Sequence, residues 1–98
     1  MRYVVESQLW RWEVRTDSWT FATVPAEESA EIRELVGDLA RGFGSVPVTV
    51  RLGATTWRTS IFPSKESGTY ALPIKKAVQK AEGVAVGDTV TLDLELRI

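Results

Sequence analysis

From Thr89 to Ile98 every second residue is apolar: Val90, Leu92, Leu94, Leu96 and Ile98 alternate with Thr89, Thr91, Asp93, Glu95 and Arg97. A period of two puts one set on each face of an extended strand, so this segment must bury one face and wet the other. The same period recurs upstream. Val46, Val48, Val50 and Leu52 alternate with Pro47, Thr49 and Arg51, and Gly53 interrupts the run before a further strand over Thr55 to Phe62. Pro47 has no N–H to give to a ladder and belongs at a strand start or edge. Trp10, Trp12 and Val14 alternate with Arg11 and Glu13, a polar turn follows at Thr16 to Ser18, and Trp19, Phe21 and Thr23 continue in the same rhythm. These two segments predict a hairpin, with Tyr3 to Val5 extending its first strand.

Two segments change period. After Pro25 and the acids Glu27, Glu28 and Glu31, the residues Ile32, Leu35, Val36 and Leu39 fall at i, i+3, i+4 and i+7, one stripe of a helix. Arg41, Gly42 and Gly44 supply a cation and flexible backbone suited to its end. A second, short helix is predicted from Pro73, with Ile74, Ala77, Val78 and Ala81 on one face and Gly83 as its stop. A short strand at Thr69 to Leu72 completes the order. The expected fold is α+β: a small, mainly antiparallel β-barrel with two helices covering its openings, in a single domain over 1–98.

At 98 residues, a split into two domains would leave each half too short for a stable core. The hydrophobic share of 44% against 26% charged is that of a globular chain. The chain has no cysteine, so thiolate chemistry and disulfides are excluded and a reducing compartment, the cytoplasm, is expected. Neither a signal-peptide pattern nor an apolar run long enough to span a membrane is visible. The chain also has no histidine, which removes the commonest general base and transition-metal ligand; neither metal nor cofactor is expected. Asp93 and Glu95 share one strand face and form the best carboxylate pair, which reads as a solvated face keeping an edge soluble, and Ser60 with Lys65 is a conceivable nucleophile and base that no spacing rule supports. No catalytic residue is assigned. The run Arg41 to Val48 superficially matches an RNA-recognition signature, but Ser45 and Val48 stand where aromatics are required.

Charge is distributed unevenly although the net is only -1. Five acids and two bases occupy Ala26 to Arg41, whereas Trp57 to Lys80 holds Arg58, Lys65, Lys75, Lys76 and Lys80 against Glu66 alone. The loop Pro63 to Gly68 and the start of the second helix therefore predict an anion-binding rim built from Trp57, Arg58, Ser60, Phe62, Lys65, Tyr70 and Lys75. Trp10, Trp12, Trp19 and Trp57, at alternating strand positions, are assigned to the core rather than to base or sugar stacking, a ring lining the barrel mouth being partly both.

Trp57-Arg58-Thr59-Ser60-Ile61-Phe62-Pro63-Ser64-Lys65, then Gly68, Tyr70, Leu72-Pro73-Ile74-Lys75 and Val86-Gly87-Asp88-Thr89-Val90, resemble the bacterial domain-of-unknown-function family nineteen-oh-five. Gly42 to Val46 and Trp19 to Pro25 resemble it too, so the likeness covers nearly the whole chain. It implies a small β-barrel, akin to the double-split barrels of bacterial transcription-factor and antitoxin domains, and carries no activity whose catalytic residues could be transferred. Gln79 stands where relatives often have arginine, which weakens the basic helix. The expected function is non-enzymatic binding of a small anionic ligand or a protein partner, by a monomer or homodimer. A dimeric DNA-binding domain, suggested by the barrel analogy, and a carboxylate- or serine-dependent enzyme are the alternatives.

Overall fold

The computed structural model describes residues 1–14, 17–37 and 44–97. The period-two segments become β1 (Arg2–Val14), β2 (Asp17–Thr23), β3 (Val46–Leu52), β4 (Thr55–Pro63), β5 (Tyr70–Pro73) and β6 (Thr89–Leu96); the helices are α1 (Ala26–Val36) and α2 (Lys76–Glu82). The strands close into a barrel in the order β1-β2-β5-β4-β3-β6, each neighbour antiparallel. Closure pairs strands that would otherwise present bare edges. Because neighbours run in opposite senses, β2 ends and β3 begins at one mouth, which α1 covers. At the opposite mouth β5 ends and β6 begins, and there α2 sits.

Alternation fills the interior. Val90, Leu92, Leu94 and Leu96 of β6, and Val46, Val48, Val50 and Leu52 of β3, all point inward. Ile61, Leu72, Leu9 and Val5 face them, while α1 adds Ile32 and Val36 and α2 adds Val78. The predicted final strand, its buried face and the short strand after the loop are all present. The tight β3–β4 turn needs Gly53, whose φ is +60° and where a Cβ would lie 1.9 Å from the Glu82 carboxylate. Glu82 accepts a hydrogen bond from Thr55 Oγ1 at 2.6 Å, tying α2 to this hairpin.

The helices depart from expectation in detail. α1 stops at Val36 with Gly37 at φ +43°, and Leu35 remains 41% exposed instead of joining the buried stripe. The third buried position is Ser29, one turn before Ile32 and Arg33. Leu39, Arg41 and Gly42 lie outside the described residues, as does Thr16 in the predicted turn. Pro73 does not open α2: it ends β5, its Cα opposite Phe21, and Ile74 N–H continues the pairing by donating to Thr20 O at 2.8 Å. Ile74 is buried as part of that extension, whereas Ala77 and Ala81 face solvent and only Val78 of α2 is buried. A proline suits a strand's last residue as well as a helix's first, so the residue type alone does not choose.

Ser29 joins α1 to the barrel. Its Oγ donates to Val24 O at 2.9 Å and accepts from Tyr70 N–H at 3.1 Å, both within the core. Ser29→Ala leaves that buried amide and carbonyl short of a partner, so urea unfolding is expected to show a loss of about 1–3 kcal/mol. Leu35→Ala on the same helix should change stability by less than about 1 kcal/mol; equal losses for the two variants would refute this account of how α1 is held.

Candidate functional site

The site grows out of a conflict of parity along β1. Val5, Ser7 and Leu9 point inward, so Trp10 and Trp12 must point outward if the strand is unbroken, and they do. Ala22 on β2 and Val24 just after it face inward and leave Trp19 and Phe21 outside. Trp10, Trp12 and Trp19 are 37%, 50% and 54% exposed, which corrects their assignment to the core; only Trp57, at 7%, is buried. The period was right and the face was inverted. The cause lies in the ladder: β1 pairs with β6 through Gln8 and with β2 from Leu9 onward, so the β1–β2 hairpin overhangs the barrel. There Arg11 keeps the inward phase but meets the mouth instead of the core.

Cross-strand register assembles the outward aromatics. Trp12 lies opposite Trp19, and Trp10 lies opposite Phe21 and stacks on it at 5.1 Å, with Trp12 edge-on to Phe21 at 6.5 Å. Trp10 Nε1–H donates to Thr23 Oγ1 at 2.9 Å, which fixes that indole on the sheet. Next in the barrel, β5 turns only Ala71 and Pro73 outward, and beyond it β4 presents Phe62, 47% exposed. Small residues between bulky ones make an open groove of about 670 Å³ lined by Trp10, Trp12, Trp19, Phe21, Phe62, Pro63, Ser64, Ala71 and Pro73. Four of these rings expose on the order of 400 Å² together, a large share of the biggest apolar patch usual on a monomer.

A second cleft, of about 400 Å³, opens between the overhang and α2. Arg11, Lys75 and Lys76 line it with Ser18, Thr20, Gln79, Trp19, Ile74, Ala85 and Val86, and no carboxylate does among the described residues. Arg11 has one ion pair among the described residues, a 3.4 Å contact with Glu13 in which both side chains are more than half exposed, too weak to neutralise it. Trp19 lines both the aromatic groove and this basic cleft.

The seven residues of the expected rim divide. Trp57 and Tyr70 are buried inside the barrel; Arg58, Ser60 and Phe62 point outward from β4, and Lys65 lies on the loop after it. Phe62 joins the aromatic groove and Lys75 the basic cleft. Trp57 and Lys75 share a smaller cavity of about 240 Å³ with Trp19, Thr59, Pro73 and Ile74. The Tyr70 ring instead packs under the Arg33 guanidinium, 5.8 Å from its centroid, while Arg33 donates to Gly68 O. Trp57 Nε1–H is buried with no acceptor among the described residues. No hydrogen bond joins Ser60 to Lys65 among those residues, and no cluster of three metal-ligating side chains occurs there. Missed by the sequence reading were Arg11 and the outward Trp10, Trp12, Trp19 and Phe21. The parity switch between Leu9 and Trp10 was the signal that could have found them.

A closed six-stranded antiparallel barrel with two helices defines the class of fold. The chain belongs to the family described as Domain of unknown function (DUF1905), whose model matches residues 6–94. No curated protein matches the chain. None of the helices among the described residues is long and apolar enough to cross a membrane.

Asp93, one of the two candidate carboxylates, is engaged by Arg2. Arg2 forms a fork to both of its oxygens, and this hydrogen bonding holds the Asp93 carboxyl below the usual carboxylate range. With its folded value depressed, the pair contributes stability above about pH 4 and loses it as pH falls through that lower value. Asp93→Asn is therefore expected to flatten the acid limb of a denaturation midpoint measured from neutral to strongly acid pH. A difference from the native chain that stays constant down to pH 2 would show that this pair does not set acid sensitivity.

Proposed function

We propose that the domain is a non-enzymatic binding module whose ligand joins an anionic group to a flat or extended apolar body. The observation that carries this reading is the position of Trp19, the shared wall of the basic cleft and the aromatic groove. Cations that line a concavity without a carboxylate attract and orient an anion, and each charge-assisted hydrogen bond contributes about 1.5–3 kcal/mol. Exposed aromatic faces take apolar surface without ordering long side chains. Both volumes fall in or near the range that encloses small ligands or short segments. The absence of histidine and the engagement of Asp93 by Arg2 support a binding rather than a catalytic role. A chain free of cysteine is suited to the reducing cytoplasm of a bacterial cell, which is where we place its action.

Fluorescence titration with anilinonaphthalene sulfonate and with its uncharged counterpart phenylnaphthylamine tests the reading. The sulfonate should bind about tenfold or more tightly than the neutral dye. Lys75→Gln combined with Lys76→Gln should erase that preference while leaving the thermal transition in place, and Trp19→Ala should weaken both dyes. Equal affinity for the two dyes, or a preference indifferent to the lysine pair, would overturn it.

A further inference from the structure

We propose that the natural occupant of the aromatic groove is an extended, proline-containing segment of a protein partner, with an acidic residue where the groove meets the basic cleft. This rests on the binding reading above and names the class of ligand.

Width excludes the bulkier alternative. Phe21 on β2 and Phe62 on β4 stand on either side of β5, and strands pack about 4.8 Å apart, so the walls rise from backbones only roughly 9.6 Å apart. An α-helix with its side chains measures about 10–12 Å, wider than that backbone spacing, so it would rest on the ring edges and leave the floor uncovered. A single extended chain does, over the low floor of Ala71 and Pro73.

Hydrogen bonding then selects the kind of extended chain. Along the groove's floor β5 is paired with β2 at Ala71–Pro73 and with β4 at Tyr70 and Ala71, and Pro73 has no N–H to give, so between Phe21 and Phe62 little strand edge is offered for an added strand; the unpaired edges of the β1–β2 overhang lie to one side of that floor. Among the groove's lining residues only Ser64 and the indole N–H groups carry side-chain polar atoms, and Trp10 spends its N–H on Thr23. An occupant has to leave its own backbone to water while laying an apolar surface on rings. A polyproline II segment has that property: it makes no internal hydrogen bonds, its backbone is solvated, and aromatic-lined grooves are what receive it.

Charge selects the ends and argues against two other occupants. At Trp19 the groove runs into Arg11, Lys75 and Lys76. A second copy of the chain would need acids on the same face to meet these cations, because a two-fold interface pairs a surface with itself. Among the described residues neither the groove nor the cleft is lined by one, and Glu13, at 3.4 Å from Arg11, is the acid nearest to these cations that an ion pair records. A single-stranded nucleic acid needs free ring faces and cations that track its length. Here Trp10 and Phe21 are stacked on each other, and the cations gather at one end.

Fluorescence anisotropy of the full chain with labelled ten-residue peptides tests the proposal. One peptide carries a central proline run with glutamates at both ends; a second has lysines at the ends, a third has glycine and serine in place of proline, and an oligothymidylate of similar length is the fourth probe. The glutamate-ended proline peptide should bind saturably, and the second and third at least about tenfold more weakly. Trp12→Ala and Phe62→Ala, exposed residues on separate strands, should each weaken it about tenfold with the thermal transition retained. Sulfonate-dye binding without peptide binding would sink this inference and leave the binding reading standing, whereas failure of both would sink the two together. Tighter binding of oligothymidylate, or a dimer in sedimentation that Trp12→Ala dissolves, would also overturn it by naming another occupant.

Discussion

Closure of the sheet fixes the direction of each side chain on an unbroken strand once one of its neighbours is known. In an open sheet a strand can slip by two residues and keep its faces; in a ring of six, both neighbours hold the register at once. Leu92 and Leu94 of β6 are inward because β1 and β3 bind that strand on its two sides. The same constraint runs along β1 from Val5 and Leu9 and delivers Trp10 and Trp12 to the outside, against the simple rule that aromatics go inward. The surface aromatics are therefore a consequence of core packing elsewhere on the same strand.

This explains what could be read from the residues and what could not. β6 was legible down to single side chains because its polar set, Thr89, Thr91, Asp93 and Glu95, has no business in a core. The β1–β2 hairpin was legible as a hairpin, but its faces were not, since Trp10 and Trp12 alternate with Arg11 and Glu13 and hydrophobicity alone sends the indoles inward. The inward parity of Val5, Ser7 and Leu9 on the same strand reverses them, and the overhang past β6 leaves the inward-phase Arg11 at the mouth. Lys75 was found because local charge is visible in a chain. Its companion Arg11 was not, because the two are brought to one cleft by a contact between segments more than sixty residues apart. Tyr70 and Trp57 looked like rim residues beside a basic loop, and two-residue alternation places both inside.

The overhang also links the two halves of the candidate surface. Had β1 ended at Leu9, neither Arg11 nor the paired Trp12 and Trp19 would have a scaffold. β5 is short and turns only Ala71 and Pro73 outward, so the groove has a floor. Together, one long strand and one short one create a depression on an otherwise convex wall. The interior being filled, it is on the barrel's side that the proposed binding surface finds its depression.

Magnitudes decide how the two halves divide the work. Burying on the order of 400 Å² of aromatic surface is worth about 10 kcal/mol at 25 cal/mol per Å². Association costs about 4–15 kcal/mol in lost freedom before side chains are ordered. The groove by itself therefore comes out close to balance, enough for transient contact with many apolar segments and too little to choose among them. The cations at Trp19 shift that balance, since an acid meeting Arg11, Lys75 and Lys76 adds charge-assisted hydrogen bonds while a base meeting them adds repulsion. In the proposed binding, apolar area would supply contact and charge at one end of the groove would supply selection, so the proposal depends on the two features being adjacent.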